Sequence, residues 1–145
     1  MTNPTSILTV SATIQAPVDK VWEFWTKPEH IIKWNNASPD WHTPTAENDL
    51  RPGGKFLSRM ESVDGKMGFD FTGTYQKVEK HQLISYLMED GRKVEIKFEE
   101  NWNSTSVTES FDAETENSLE LQQQGWQAIL DNFKKQVERA QQGKI

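Results

Sequence analysis

The C-terminal segment carries the pattern that most constrains this chain. Leu119, Trp126, Ile129, Leu130, Phe133 and Val137 recur at helical spacing and make one apolar stripe. Asn117 with Glu120 resembles a capping pair at the start, and Lys134, Lys135 and Arg139 sit near the far end, where cations favour the helix dipole. About 22 residues at 1.5 Å each give a rod of roughly 33 Å. A one-sided stripe of that length has to be buried against something wide, and the only wide apolar surface a chain can build beside it is a sheet.

The preceding residues supply the strands. Ser6 to Gln15 alternates Leu8, Val10, Ala12 and Ile14 with Ile7, Thr9, Ser11 and Thr13, the period of a strand. Ala16-Pro17 ends it and suits the start of a helix, on which Val18, Val21, Trp22 and Trp25 share one face. Pro28 stops that helix and opens a second one over Glu29–Trp34. Asn35–Asn48 reads as loop, because Asn, Ser, Pro, Asp and Thr cluster there. Strands are expected over Lys55–Ser62, Met67–Val78, Gln82–Met88, Val94–Glu99 and Thr105–Ala113. They are separated by the turns Arg51-Pro52-Gly53-Gly54, Val63-Asp64-Gly65-Lys66, Glu89-Asp90-Gly91-Arg92 and Asn101–Ser104. The order is one strand, two short helices, a meander of strands and a long helix. It predicts a single α+β domain over residues 1–145, with a curved antiparallel sheet gripping the last helix. A sheet meets a helix along a line, so a pocket is expected between its concave side and the helix.

Composition narrows the partners. With 145 residues a second core is not expected, and 6 Trp, 7 Phe and 2 Tyr argue for a folded interior rich in rings. The net charge of -6 argues against nucleic acid and anionic membrane surfaces. No apolar run approaches the roughly 18 residues of a spanning helix, so no membrane insertion is expected. Met1–Val10 lacks a basic start and an apolar core, so no signal peptide is expected. There are 0 Cys, which excludes disulfides and thiolate chemistry and fits a cytoplasmic protein.

Four motifs in order resemble one family: Ala16-Pro17-Val18-Asp19-Lys20-Val21-Trp22, Asp49-Leu50-Arg51-Pro52-Gly53-Gly54-Lys55-Phe56, Phe71-Thr72-Gly73-Thr74-Tyr75, and Gly125-Trp126-Gln127-Ala128-Ile129-Leu130-Asp131-Asn132-Phe133-Lys134. Together they are similar to the homologues of the activator of heat-shock-protein-90 ATPase. That family belongs to the START-like, polyketide-cyclase-like (SRPBCC) helix-grip superfamily. The likeness spans residues 6 to 139, and Trp34 to His42 looks like a bacterial subgroup. The resemblance implies a seven-stranded antiparallel sheet around the C-terminal helix, with a cavity between them. Superfamily members bind lipids, polyketides or other apolar molecules, and some are enzymes.

The expected role is therefore binding of a small apolar or amphipathic ligand, such as a lipid, polyketide or aromatic compound, without turnover. The expected lining is Trp34, Trp41, His42, Arg59, Phe71, Tyr75, Glu109, Trp126 and Leu130. The alternative is a cyclase, dehydratase or hydrolase, with His42 and a carboxylate, Glu109 or Asp70, transferring protons in the cavity. Each candidate has a plainer reading. Trp34, Trp41 and His42 can pin a loop. Asp70 between Phe69 and Phe71 can face water, and Arg59 with Glu61 can be a surface pair. Glu109 is the odd one, an acid on the face of Val107 and Phe111. A third reading, contact with a chaperone, follows from the family name alone. No metal or cofactor is expected: His30, His42 and His81 lack ligand spacing, and no Ser sits in a nucleophile elbow. Pro52-Gly53-Gly54-Lys55 is a turn rather than a phosphate loop. Gly125, inside the last helix, is expected to admit a close neighbour.

Overall fold

The computed structural model describes residues 6–142. The leader reading over Met1–Val10 falls partly on residues 1–5, outside the described residues. The elements run β1 (Ile7–Ile14), α1 (Val18–Thr26), α2 (Pro28–Trp34), β2 (Trp41–Asn48), β3 (Lys55–Ser62), β4 (Gly68–Glu79), β5 (Leu83–Met88), β6 (Lys93–Asn101), β7 (Ser104–Asp112) and α3 (Leu119–Gln142). The strands form one curled antiparallel sheet in the order β1-β7-β6-β5-β4-β3-β2. Strands β2 to β7 are a meander, and β1 closes it by pairing with β7. This is the helix-grip α+β fold that the resemblance implied.

Alternation does most of the building. On β1, Val10 and Ile14 are buried while Ile7 lies exposed. On β6 and β7, Val94, Ile96 and Phe98 face the interior together with Val107, Glu109 and Phe111. The stripe of α3 closes over them, with Leu130, Phe133 and Val137 fully buried. Rings fill one end of the core: Trp25 packs edge-on to Phe98 and Phe133, and Trp34 packs edge-on to Phe133 at 4.9 Å. Edge-to-face contacts of this kind contribute about 0.5–1.5 kcal/mol beyond the area they bury.

Helix α3 also covers an edge of the sheet. The free carbonyls of Thr9 and Ser11 on β1 accept hydrogen bonds from the Gln123 and Gln127 amides at 3.2 and 3.0 Å, and that of Thr13 accepts from Lys134. Glu138 takes the backbone N–H of Gln15 at 2.9 Å. A helix thus does what another strand would do, and the edge is closed to intermolecular pairing.

Three sequence expectations need correction. Trp41–Asn48 is strand β2, not loop. It is the edge strand, and its pairing with β3 slips between His42 and Thr45, around Pro44. Proline lacks the N–H a ladder needs, so it is tolerated at an edge irregularity of this kind. The cap of α3 is Ser118, not Asn117: the Ser118 hydroxyl accepts the Leu121 N–H at 3.1 Å, while Asn117 bonds back to Glu114. Finally, a Cβ on Gly125 would meet open space, so no neighbour requires a glycine there. Close approach is required elsewhere: a Cβ on Gly73 would lie 2.5 Å from the Phe56 ring, and one on Gly54 2.0 Å from the Asp49 carbonyl.

Candidate functional site

Between the concave face of the sheet and α3 lies a hollow of about 230 Å³. Rings make most of its wall: Trp25 and Trp34 from the short helices, Phe56, Phe69, Phe71, Tyr75 and Tyr86 from the sheet, and Trp126 from α3. They form two sets, because the Trp25–Trp34–Phe133 group ends the core on one side while Phe56 touches Phe71, Tyr75 and Tyr86 on the other. Trp126 is held flat on Phe111, with ring centres 3.9 Å apart. Ile31, Met60, Ile84 and Ile129 fill the spaces between rings.

The polar groups are few. Tyr75 donates its hydroxyl to the Asn48 side chain, and Asn48 donates in turn to the Thr26 carbonyl at 2.6 Å. That chain ties the end of α1 to β2 and β4 at the wall of the hollow. Glu47 stands at the exposed rim. Deeper in, Ser58, Tyr86 and Glu109 line the hollow, and among the described residues none of their side chains has a hydrogen-bond partner. Glu109 is only 7% exposed. Burial alone pushes its carboxyl up to about 8, because no cation is near enough to offset the loss of water. At neutral pH the group is therefore mostly protonated and carries a donor O–H. Burial, and then the neighbouring Glu109, pushes the Tyr86 phenol well above its ordinary range. Burial raises Tyr75 as well.

The residues singled out in the sequence divide between two faces. Trp34, Phe71, Tyr75, Glu109 and Trp126 line the hollow. Leu130 is buried in the core instead, and Trp41 packs against Phe69, with centroids 5.9 Å apart, outside the lining. His42, Arg59 and Asp70 are on the outer face with Glu61. Arg59 bonds Glu61 at 2.9 Å and Asp70 at 3.3 Å, and His42 stands 3.9 Å from Glu61. The register explains the set, since His42 pairs with Glu61 and Arg59 with Asp70. On a strand, neighbours of inward Thr43 and Met60 must point outward. His42 and Glu109 therefore do not converge, and the acid–base pairing expected for an enzyme is not assembled. Phe56, Ser58 and Tyr86 were overlooked in the sequence. Ser58 keeps step with Met60 and Ser62, and Tyr86 with Ile84 and Met88, so their inward direction was readable.

No group of His, Asp or Glu that could hold a metal ion occurs among the described residues. No helix among them is long and apolar enough to cross a membrane.

The profile of a family described as Activator of Hsp90 ATPase homolog 1-like protein matches residues 15–138. Among solved structures, an AHSA1-like protein from Aeromonas hydrophila shares 44% identity, covering 97% of each chain, with a TM-score of 0.89. A protein from Cytophaga hutchinsonii shares 48% identity over 94% of this chain and 95% of its own, with a TM-score of 0.79. A protein from Nitrosomonas europaea has the same fold at 21% identity, covering 94% of this chain and 96% of its own, with a TM-score of 0.80. No curated protein matches the chain.

Proposed function

The chain belongs to the family of activator of Hsp90 ATPase homolog 1-like proteins, and from that premise we propose that it binds a small apolar or amphipathic molecule in the hollow between the sheet and α3. The START-like fold of this family is known for ligand binding. The observation that carries the reading is the set of Ser58, Tyr86 and Glu109, polar groups without protein partners inside an aromatic wall. Polar groups that open onto a hollow without a partner in the protein are free to bond to a guest, which also buries its own apolar surface against the rings.

The enzyme reading needs His42 and a carboxylate together in the hollow, and His42 is on the other face of the sheet from Glu109 while Asp70 lies outside the lining. The chaperone reading rests on the family's name and on no residue of this chain. Binding without turnover is the better-supported role.

The test is native mass spectrometry of the protein as purified, followed by thermal unfolding with a panel of lipids, polyketides and small aromatic compounds. A bound molecule, or a rise in Tm with one chemical class, supports the reading, because a ligand that binds only the folded state stabilises it. An empty protein that no member of the panel stabilises overturns it.

A further inference from the structure

Among the described residues the lining holds two carboxyl groups, Glu47 at the rim and Glu109 inside, and no Lys, Arg or His. Arg92, whose charge acts on Tyr86, is committed to Asp90 at 2.7 Å. An anionic guest, such as a fatty acid, would find no counter-charge in the lining and would pass the charge of Glu47 at the rim. A neutral guest would satisfy hydrogen bonds but leave the electrostatics of the wall unused. Resting on the ligand-binding reading above, we propose that the guest is a small organic cation, an amine carried on an apolar or aromatic body, whose ammonium group sits at Glu109 with aromatic faces around it.

Three independent features support this. Aromatic faces attract cations, most strongly when water is excluded, and Trp is the best of them; three Trp line this wall. Glu109 has no protein partner among the described residues, so a cation would be its only counter-ion. Glu47 at the mouth and the net charge of -6 draw cations towards the opening. The arriving ammonium would ionise Glu109, whose proton leaves to solvent. Beside Glu109 in the sheet stand Val10 and Ile96, which do not titrate, and the ionisable group that interacts with it is Tyr86, whose phenol is pushed well up and stays neutral.

The experiment compares 2-phenylethylamine, 2-phenylethanol and phenylacetate by isothermal titration calorimetry of the full chain near neutral pH, in buffers of different ionisation enthalpy. The amine is expected to bind at least about tenfold more tightly than the alcohol. It should release close to one proton per site, while the alcohol releases none. In Glu109→Gln, the amine preference and the proton release should vanish while alcohol binding persists, which separates a lost charge from a lost fold. Glu47→Gln should weaken the amine slightly, and less so in high salt. Equal or tighter binding of the alcohol overturns the cation while leaving the ligand-binding role standing. Tightest binding of phenylacetate does the same. Binding of none of the three overturns the cation, and the ligand-binding role is then decided by the broader panel.

Discussion

Replacing Glu109 with Gln should change how stability depends on pH. Gln has nearly the shape of the protonated acid, so it perturbs packing little. In the folded protein the carboxyl is pushed up to about 8, against an ordinary 4.5. The native state therefore holds this proton more tightly than the unfolded chain does. Stability from Glu109 is complete below pH 4.5, is lost as pH rises from 4.5 to 8, and then levels off. At about 1.4 kcal/mol per pKa unit, the loss reaches about 1 kcal/mol near pH 5, about 3 near pH 7 and about 5 near pH 9. Glu109→Gln cannot titrate and escapes all of it. Urea unfolding of both proteins at these pH values, followed by tryptophan fluorescence, should show the variant gaining on the parent by these increments. Every other titrating group cancels in the difference. A stability difference that stays constant from pH 5 to pH 9 would refute the reasoning, because it would mean the carboxyl is well solvated or paired.

Further changes probe the frame and the two faces. Gly125→Ala should stabilise by about 1 kcal/mol in denaturant unfolding, since the added methyl meets open space. Gly73→Ala should destabilise by about 1–3 kcal/mol, because its Cβ would be 2.5 Å from the Phe56 ring and 2.9 Å from the Leu87 carbonyl. Ser118→Ala should cost about 1 kcal/mol by removing the cap of α3, whereas Asn117→Glu, changing the residue first read as the cap, should leave the Leu121 N–H satisfied. The double change His42→Ala with Asp70→Asn should leave affinity for any ligand of the hollow within about twofold, because both side chains lie on the outer face.

The frame was legible because its signals were redundant. Alternation along β6 and β7 identified the inward side, and Asp64-Gly65 and Asp90-Gly91 marked turns whose glycines adopt φ 77° and 91°. The stripe of α3 fixed what the sheet had to cover. Glu109 was legible for the same reason, as an acid in an apolar row. His42 was not. Its environment depended on β2, and β2 was hidden by loop-like composition and by Pro44 at its irregularity. Read as loop, His42 can point anywhere; placed on a strand beside inward Thr43, it has to face out. Asn117 misled for a different reason, because the capping-pair spacing fits two adjacent frames and only geometry separates Asn117 from Ser118. The polar wall of the hollow needed β3, β5 and β7, which alternate with β4 and β6 in the sheet, and no local pattern reports that Ser58, Tyr86 and Glu109 share one space.

The claim beneath all of this is that a guest enters the concave side of the sheet under α3. Chemical-shift mapping on isotopically labelled protein, with whichever compound from the panel stabilises it, tests this most directly. The predicted result is that signals of Tyr86, Glu109 and the Trp126 indole move together while His42, Arg59 and Asp70 stay fixed. Movement confined to His42, Arg59 and Asp70 would contradict it.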